Sequence, residues 1–243
     1  MIGSSDEATR RDGEVRDAVP SAPSLDAGDS PDRPRTNAEL REEAISRMTL
    51  TAIRLIAEHG AAKLSLVDVG REAGFSHSLP NYYFGSKKGL LLHVYSFLVN
   101  GARGKIVRWW RARQLGHIRP GLPHIRATIQ GYLGLVEDDP MPSRAWHVLW
   151  SESISSMPEL LEVVRTMNRR FVDFFAHELN IAIERGEADP DIDVEALALL
   201  LAASVRGVVA QYMVDPERVD LQRAADALIL VLDRGVAMKT NIT

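Results

Sequence analysis

Residues 74–90 read GFSHSLPNYYFGSKKGL, and the punctuation of this stretch decides how the chain around it folds. Gly74 supplies a turn with no Cβ to obstruct it, Phe84-Gly85 ends whatever helix follows, and Ser86-Lys-Lys opens another. Ahead of the turn, Leu66, Val69 and Ala73 recur at helical steps behind Ser65-Leu-Val-Asp68, which has the pattern of a capping box. Two short helices joined at a glycine form a helix-turn-helix only if they cross closely, and that calls for a small residue at the crossing. Gly70, four residues before Gly74, meets this requirement. The helix after the turn starts near Ser76, with Pro80 then inside it at a cost of about 3 kcal/mol. If Ser78 is the cap instead, Pro80 becomes a tolerated first-turn residue and the helix shrinks to about a turn and a half.

Working outward, the period stays helical. Thr36-Asn-Ala-Glu39 is a capping box ahead of Ile45, Met48, Ala52, Leu55 and Ile56, and Gly60 stops that helix. From the Ser86 cap, Leu90, Leu91, Val94 and Leu98 define a helix reaching about Arg113, after which Gly116, Pro120, Gly121 and Pro123 break the chain. Ile125, Ile129, Tyr132 and Leu133 carry the next helix to Glu137-Asp-Asp-Pro140, and residues 143–155 form another. Ser156-Met-Pro-Glu159 is a third capping-box pattern and starts a long amphipathic helix to Arg185. Two apolar helices follow, one with Val194, Leu197, Leu201, Val205, Val208 and Tyr212, the other with Leu221, Ala225, Leu228, Leu232 and Val236. Their alternating three- and four-residue steps describe a seam, closed either by the chain's own core or by a second copy. No run of strand period occurs, so the fold is all-α with about nine helices.

The stretch 74–90 resembles the signature of TetR-family transcriptional regulators, whose recognition helix ends in an aromatic pair followed by a small-polar-Lys start to the next helix. The likeness extends upstream through Ala52, Ile56, Gly60, Val67 to Val69 and Arg71-Glu-Ala-Gly74. It implies a helix-turn-helix DNA-binding domain over 36–85, with Ser76, His77, Ser78, Leu79, Asn81 and Tyr82 at positions that enter the major groove. Asn81 suits a bidentate contact to an adenine edge, while His77 and Ser78 can donate or accept at several bases. Tyr83 and Lys87 match positions that hold phosphates, the alternative being that Tyr82 and Tyr83 simply pack the hairpin. A chain that kept the fold but lost DNA recognition, as an all-α ligand-binding or structural dimer, is the alternative that Pro80 raises.

Beyond Leu98 the sequence resembles a TetR-family effector-binding and dimerisation domain, over 86–243, most similar to regulators of betaine synthesis that respond to choline. Such domains enclose a small-molecule pocket and pair as homodimers through their last two helices, here 193–214 and 220–238. Trp146 and Trp150 are one turn apart and could line the pocket with Tyr132, Phe171 and Phe175, holding a quaternary ammonium by cation–π attraction. The same aromatics could be plain core. Arg103, Lys105, Arg108, Arg111 and Arg113 raise either an anionic effector or a solvated helix surface. Gly85-Ser-Lys-Lys-Gly89 lacks the first glycine and the strand of a phosphate loop, and no HExxH, GxSxG or carboxylate-rich metal spacing occurs, so no catalytic residue, metal or cofactor is expected.

The charge pattern qualifies the DNA reading. The formal net charge is −4, but no Asp or Glu occurs in the 64 residues between Glu72 and Glu137, which hold nine Lys and Arg. Only Lys87 and Lys88 of those nine lie where the family meets phosphate, so nonspecific DNA affinity should be modest and specificity should rest on a few polar side chains. Residues 1–35 hold five Arg, eight Asp or Glu and four Pro without an apolar block, the composition of a solvated, disordered tail and not of an export signal. The absence of cysteine fits a reducing cytoplasm. The apolar stretch 194–214 has the length of a membrane span but contains Glu195, Arg206 and Gln211, and reads as a buried helix. The whole describes a cytoplasmic homodimeric repressor that binds a palindromic double-stranded DNA operator and answers to a small-molecule effector.

Overall fold

A computed structural model describes residues 36–112 and 118–237. The tail expected over 1–35, and Arg113 and Gly116 at the first break, lie outside the described residues. Nine α-helices and no strand occur among the described residues. They are α1 Asn37–His59, α2 Leu66–Glu72, α3 Leu79–Phe84, α4 Lys87–Ala112, α5 Leu122–Asp138, α6 Pro140–Ser153, α7 Leu161–Glu184, α8 Val194–Val214 and α9 Leu221–Gly235.

The caps follow the sequence closely at the N-terminal end. Thr36 and Glu39 form a reciprocal capping box on α1, Ser65 accepts from the Asp68 amide at the head of α2, and Ser86 accepts from the Gly89 amide at the head of α4. Two starts differ from expectation. Helix α6 begins at Pro140 behind an Asp139 cap, because proline is well suited to the first helical position and here opens a helix instead of closing one. The Ser156-to-Glu159 capping box does not form: a short 3-10 turn, Pro158–Leu160, takes its place with no side-chain cap, and α7 starts at Leu161.

Two hydrophobic cores hold the chain. The first joins α1, α2 and the N-terminal half of α4 to Ala145 and Leu149 of α6 and to Leu160 and Val164 around the start of α7. It therefore continues past Gly85, and α6 packs directly along α1. The second gathers α5, the C-terminal half of α7, α8 and α9 around the fully buried Phe175.

The apolar seam of α8 and α9 divides differently from its sequence pattern. Leu201, Val205, Leu221, Ala225, Leu232 and Val236 are all buried within the chain, against α5 and α7. A different stripe is left outside: Leu199, Leu200, Ala203, Gly207 and Val214 on α8, with Ala227, Leu230 and Val231 on α9. These helices are apolar over a wider arc than one seam, because one side fills the chain's own core and the other faces out. Helix α8 is long and apolar enough to cross a membrane by length and composition, yet its Ala198, Ala202 and Val209 belong to the second core.

Candidate DNA-reading head and effector centre

Gly70 and Pro80 fix the reading helix. A Cβ at Gly70 would stand 2.8 Å from the Ser76 carbonyl oxygen and 3.1 Å from the Pro80 ring, so only glycine lets α3 sit this close to α2. Gly74 has φ +75°, a left-handed turn, and the Phe75 amide donates to the Gly70 carbonyl at 2.8 Å. Arg47 closes the turn from α1 by donating to the Ala73 carbonyl at 2.8 Å, its guanidinium 4.7 Å from the Phe75 ring centre. Ser78 is the N-cap, so Pro80 occupies the first turn and is buried in the notch above Gly70. The proline thus seats the helix without breaking it, and α3 is six residues long.

This seating sorts the expected DNA residues. Ser76, His77, Ser78, Asn81 and Tyr82 are exposed, and Tyr82 keeps 79% of its surface in solvent. Leu79 instead turns inward and is half-buried against the first core, holding the helix down. Tyr83 is also half-buried, edge-on to Tyr82 at 5.1 Å, with the Arg41 guanidinium 5.8 Å from its ring. Lys87 donates to the Ala62 carbonyl at 2.6 Å.

Ala62 is held from its other side too. The Glu152 carboxylate at the end of α6 accepts from the Ala62 amide at 2.9 Å, and its other oxygen would lie 2.8 Å from a Cβ at Gly60, whose φ is +89°. The turn after α1 is therefore clasped between α4 and α6. Glu152→Ala should destabilise the protein by about 1 kcal/mol, and Glu152→Gln should recover more than half, as measured by urea midpoints at unchanged m value.

The aromatic residues expected in the effector pocket surround a group that the periodicity did not single out. Arg206, midway along α8, places its guanidinium 4.9 Å from the Trp146 ring centre and 4.8 Å from that of Phe171, and donates to the Asn168 side-chain oxygen. Trp146 stacks on Trp150 at 6.0 Å, and Phe171 meets Tyr132 at 6.2 Å and Phe175 at 5.0 Å. Phe175 is closed in the second core, whereas Trp146, Phe171, Tyr132, Asn168 and Arg206 all keep partial access. The cluster lies where the two cores meet, since Trp146 packs on the first and Phe171 and Tyr132 on the second. The His147 ring pins α6 to α8, Nδ1 lying 2.8 Å from the Ser143 carbonyl oxygen and Nε2 3.4 Å from that of Arg206. Burial lowers the Arg206 pKa from its ordinary value, but a guanidinium starts so high that it stays charged. Burial likewise raises Tyr132, and pushes the Tyr95 phenol up to about 12. The signal for Arg206 was an unpaired charge in the most apolar helix of the chain.

Of the basic run, Lys105 lies 3.8 Å from Asp139, and Arg108 and Arg111 are exposed helix surface.

A six-residue helix with one polar face in solvent, set over a glycine crossing and joined to a larger helical domain with a half-open aromatic centre, defines a helix-turn-helix transcriptional regulator. The profile described as bacterial regulatory proteins, tetR family, matches residues 49–94, and that described as BetI-type transcriptional repressor, C-terminal, matches residues 123–236. The chain belongs to the TetR family and has a BetI-type C-terminal domain. Among its relatives is the HTH-type transcriptional regulator BetI of Vibrio campbellii, 24% identical over 206 residues that span 84% of this chain and 96% of that protein. Among solved structures, a TetR transcriptional regulator from Chloroflexus aurantiacus superposes with a TM-score of 0.68 at 22% identity, covering 81% of this chain and 98% of that one. SmeT, the repressor of the Stenotrophomonas maltophilia multidrug efflux pump SmeDEF, gives 0.64 at 20% identity, covering 79% and 90%.

Proposed function

We propose that the protein is a cytoplasmic, homodimeric repressor that binds a palindromic operator and releases it when a small molecule enters the centre around Trp146, Tyr132, Phe171 and Arg206. The observation that carries the DNA reading is the outward face of α3. Tyr82 is a large aromatic ring left in solvent beside Asn81, His77 and Ser78, where no core explains it and a base edge or sugar would. In this reading Asn81 contacts a base, Tyr82 and the serines fix the helix in the groove, and Lys87 leaves the Ala62 carbonyl to meet a phosphate. The alternative, a fold that has lost DNA recognition, rested on Pro80. With Pro80 seated on Gly70, that motive falls away.

Gel shift on the DNA upstream of the protein's own gene tests the assignment. Asn81→Ala should relax preference at its base by about 1–3 kcal/mol, with nonspecific binding unchanged. Lys87→Ala should weaken binding to every sequence and lower the salt slope by about 1. Equal effects of both changes on specific and nonspecific DNA would overturn the reading.

The effector coupling runs along α6. One helix carries Trp146 in the centre, Ala145 and Leu149 against α1, and Glu152 on the turn after α1. A ligand that repositions Trp146 moves the base of the reading head, so its affinity for the two states of the head differs, as release requires.

A further inference from the structure

We propose that the effector is an organic carboxylate with an apolar body, recognised by Arg206 and the Tyr95 hydroxyl, and that a quaternary ammonium is excluded from the same site. The inference rests on the effector reading above and specifies its chemistry.

The aromatic faces that could hold a free cation already hold one belonging to the chain. Arg206 lies within 5 Å of both the Trp146 and the Phe171 ring centres, so a second cation brought to these rings would meet a like charge in a partly desolvated site. Among the described residues no carboxylate pairs with Arg206; its side-chain partner is the neutral Asn168, and the ionisable groups that act on it are the phenols of Tyr95 and Tyr132. A half-buried cation matched only with neutral partners favours an anion beside it.

A second observation points the same way. Tyr95 is 1% exposed, and its buried hydroxyl has no acceptor for its proton, since the neighbouring Trp146 indole can only donate. Buried hydroxyls are rarely left so, and this one shares the first core with Trp146, whose ring centre lies 4.9 Å from the Arg206 guanidinium. A phenol O–H donates, and a guanidinium can only donate. Both therefore lack an acceptor, and one carboxylate would supply it: one oxygen for the guanidinium, with the other free to accept from Tyr95. The partly accessible rings of Trp146, Phe171 and Tyr132 leave apolar wall for the rest of the molecule.

The test uses the full-length protein and matched probes: 3-phenylpropionate and the C6 to C12 straight-chain carboxylates, the corresponding alcohols and primary amines, and choline. Isothermal titration and thermal shift should find at least one carboxylate binding at least tenfold tighter than its alcohol, with its amine and choline weaker still. Arg206→Met should lower that carboxylate's affinity at least tenfold and raise choline's, because it empties the cation position between the rings; Arg206→Lys should keep part of the carboxylate binding. Tyr95→Phe should weaken the carboxylate severalfold at unchanged folding. Circular dichroism establishes that each variant folds. Choline binding the parent protein as tightly as the best carboxylate, an Arg206→Met protein with undiminished carboxylate binding, or no response to any carboxylate would each overturn the proposal. Failure of the DNA-regulator reading would show separately, as a ligand-free protein that does not retain its upstream DNA.

Discussion

Placing Asp at both Leu200 and Val231 is expected to convert the protein to a monomer at micromolar concentration and to lower operator affinity at least a hundredfold. These side chains are 57% and 64% exposed on the outward faces of α8 and α9, in the stripe that the chain's own core leaves uncovered. Fully burying one large aliphatic side chain stabilises by about 1.5–3 kcal/mol, and a two-fold interface buries each twice. Replacing all four by carboxylates removes that term and places like charges opposite one another. The DNA effect follows from geometry, since a dimer binds its second half-site from a high local concentration and a monomer does not. Light scattering reports the mass and gel shift the affinity. A variant that remains a dimer would locate the interface elsewhere. Asp at Leu201 and Leu232 would be uninformative, because those positions are core and the chain would unfold.

Gly70→Val should destabilise the protein by about 2–3 kcal/mol and abolish DNA retention. Its Cβ would be driven to 2.8 Å from the Ser76 carbonyl, a backbone atom that cannot swing aside, and its methyl groups would displace the Pro80 ring at 3.1 Å. The α2–α3 crossing would open, taking Asn81 and Tyr82 from their positions. Gly101→Ala in α4 is the control, because nothing lies within 4 Å of its Cβ and the helix should gain about 0.5–1 kcal/mol. Urea unfolding and gel shift separate the two outcomes. Loss of DNA binding in both variants would mean that glycine substitution is generally disruptive and not that the crossing is tight.

The comparison of these two sites shows what a sequence carries. Gly70, Gly74 and the three serine or threonine caps were legible because each meets a local demand, a close crossing or an unpaired amide, that few residues satisfy. The choice between Ser76 and Ser78 was open in sequence and is closed by packing, since Pro80 needs the Gly70 notch. What covers the α8–α9 seam was left open in sequence, because periodicity reports that a face is apolar and not which neighbour covers it. Helices α5 and α7 cover the predicted stripe. At Asp139-Pro140, signals of a helix end and of a helix start coincide, and proline serves either. Arg206 was visible only as a break in hydropathy. Its surroundings come from α4, α5, α6 and α7, at least 35 residues away in every case, which no local pattern encodes.

Helix α8 has Arg206 on its inner side and, immediately flanking it in sequence, Val205 in the core and Gly207 at the surface, with Ala203 one turn earlier. The outward surface beside the charged centre is thus almost bare of side-chain atoms. A rod thinned there has no cushion of flexible side chains to absorb a displacement. A pull on the guanidinium from within would reach whatever rests on Ala203 and Gly207 as a movement of backbone against backbone. In the homodimer proposed above, two such centres mounted behind these surfaces would not fill independently, and the first molecule to bind would change the affinity of the other centre from across the molecular axis.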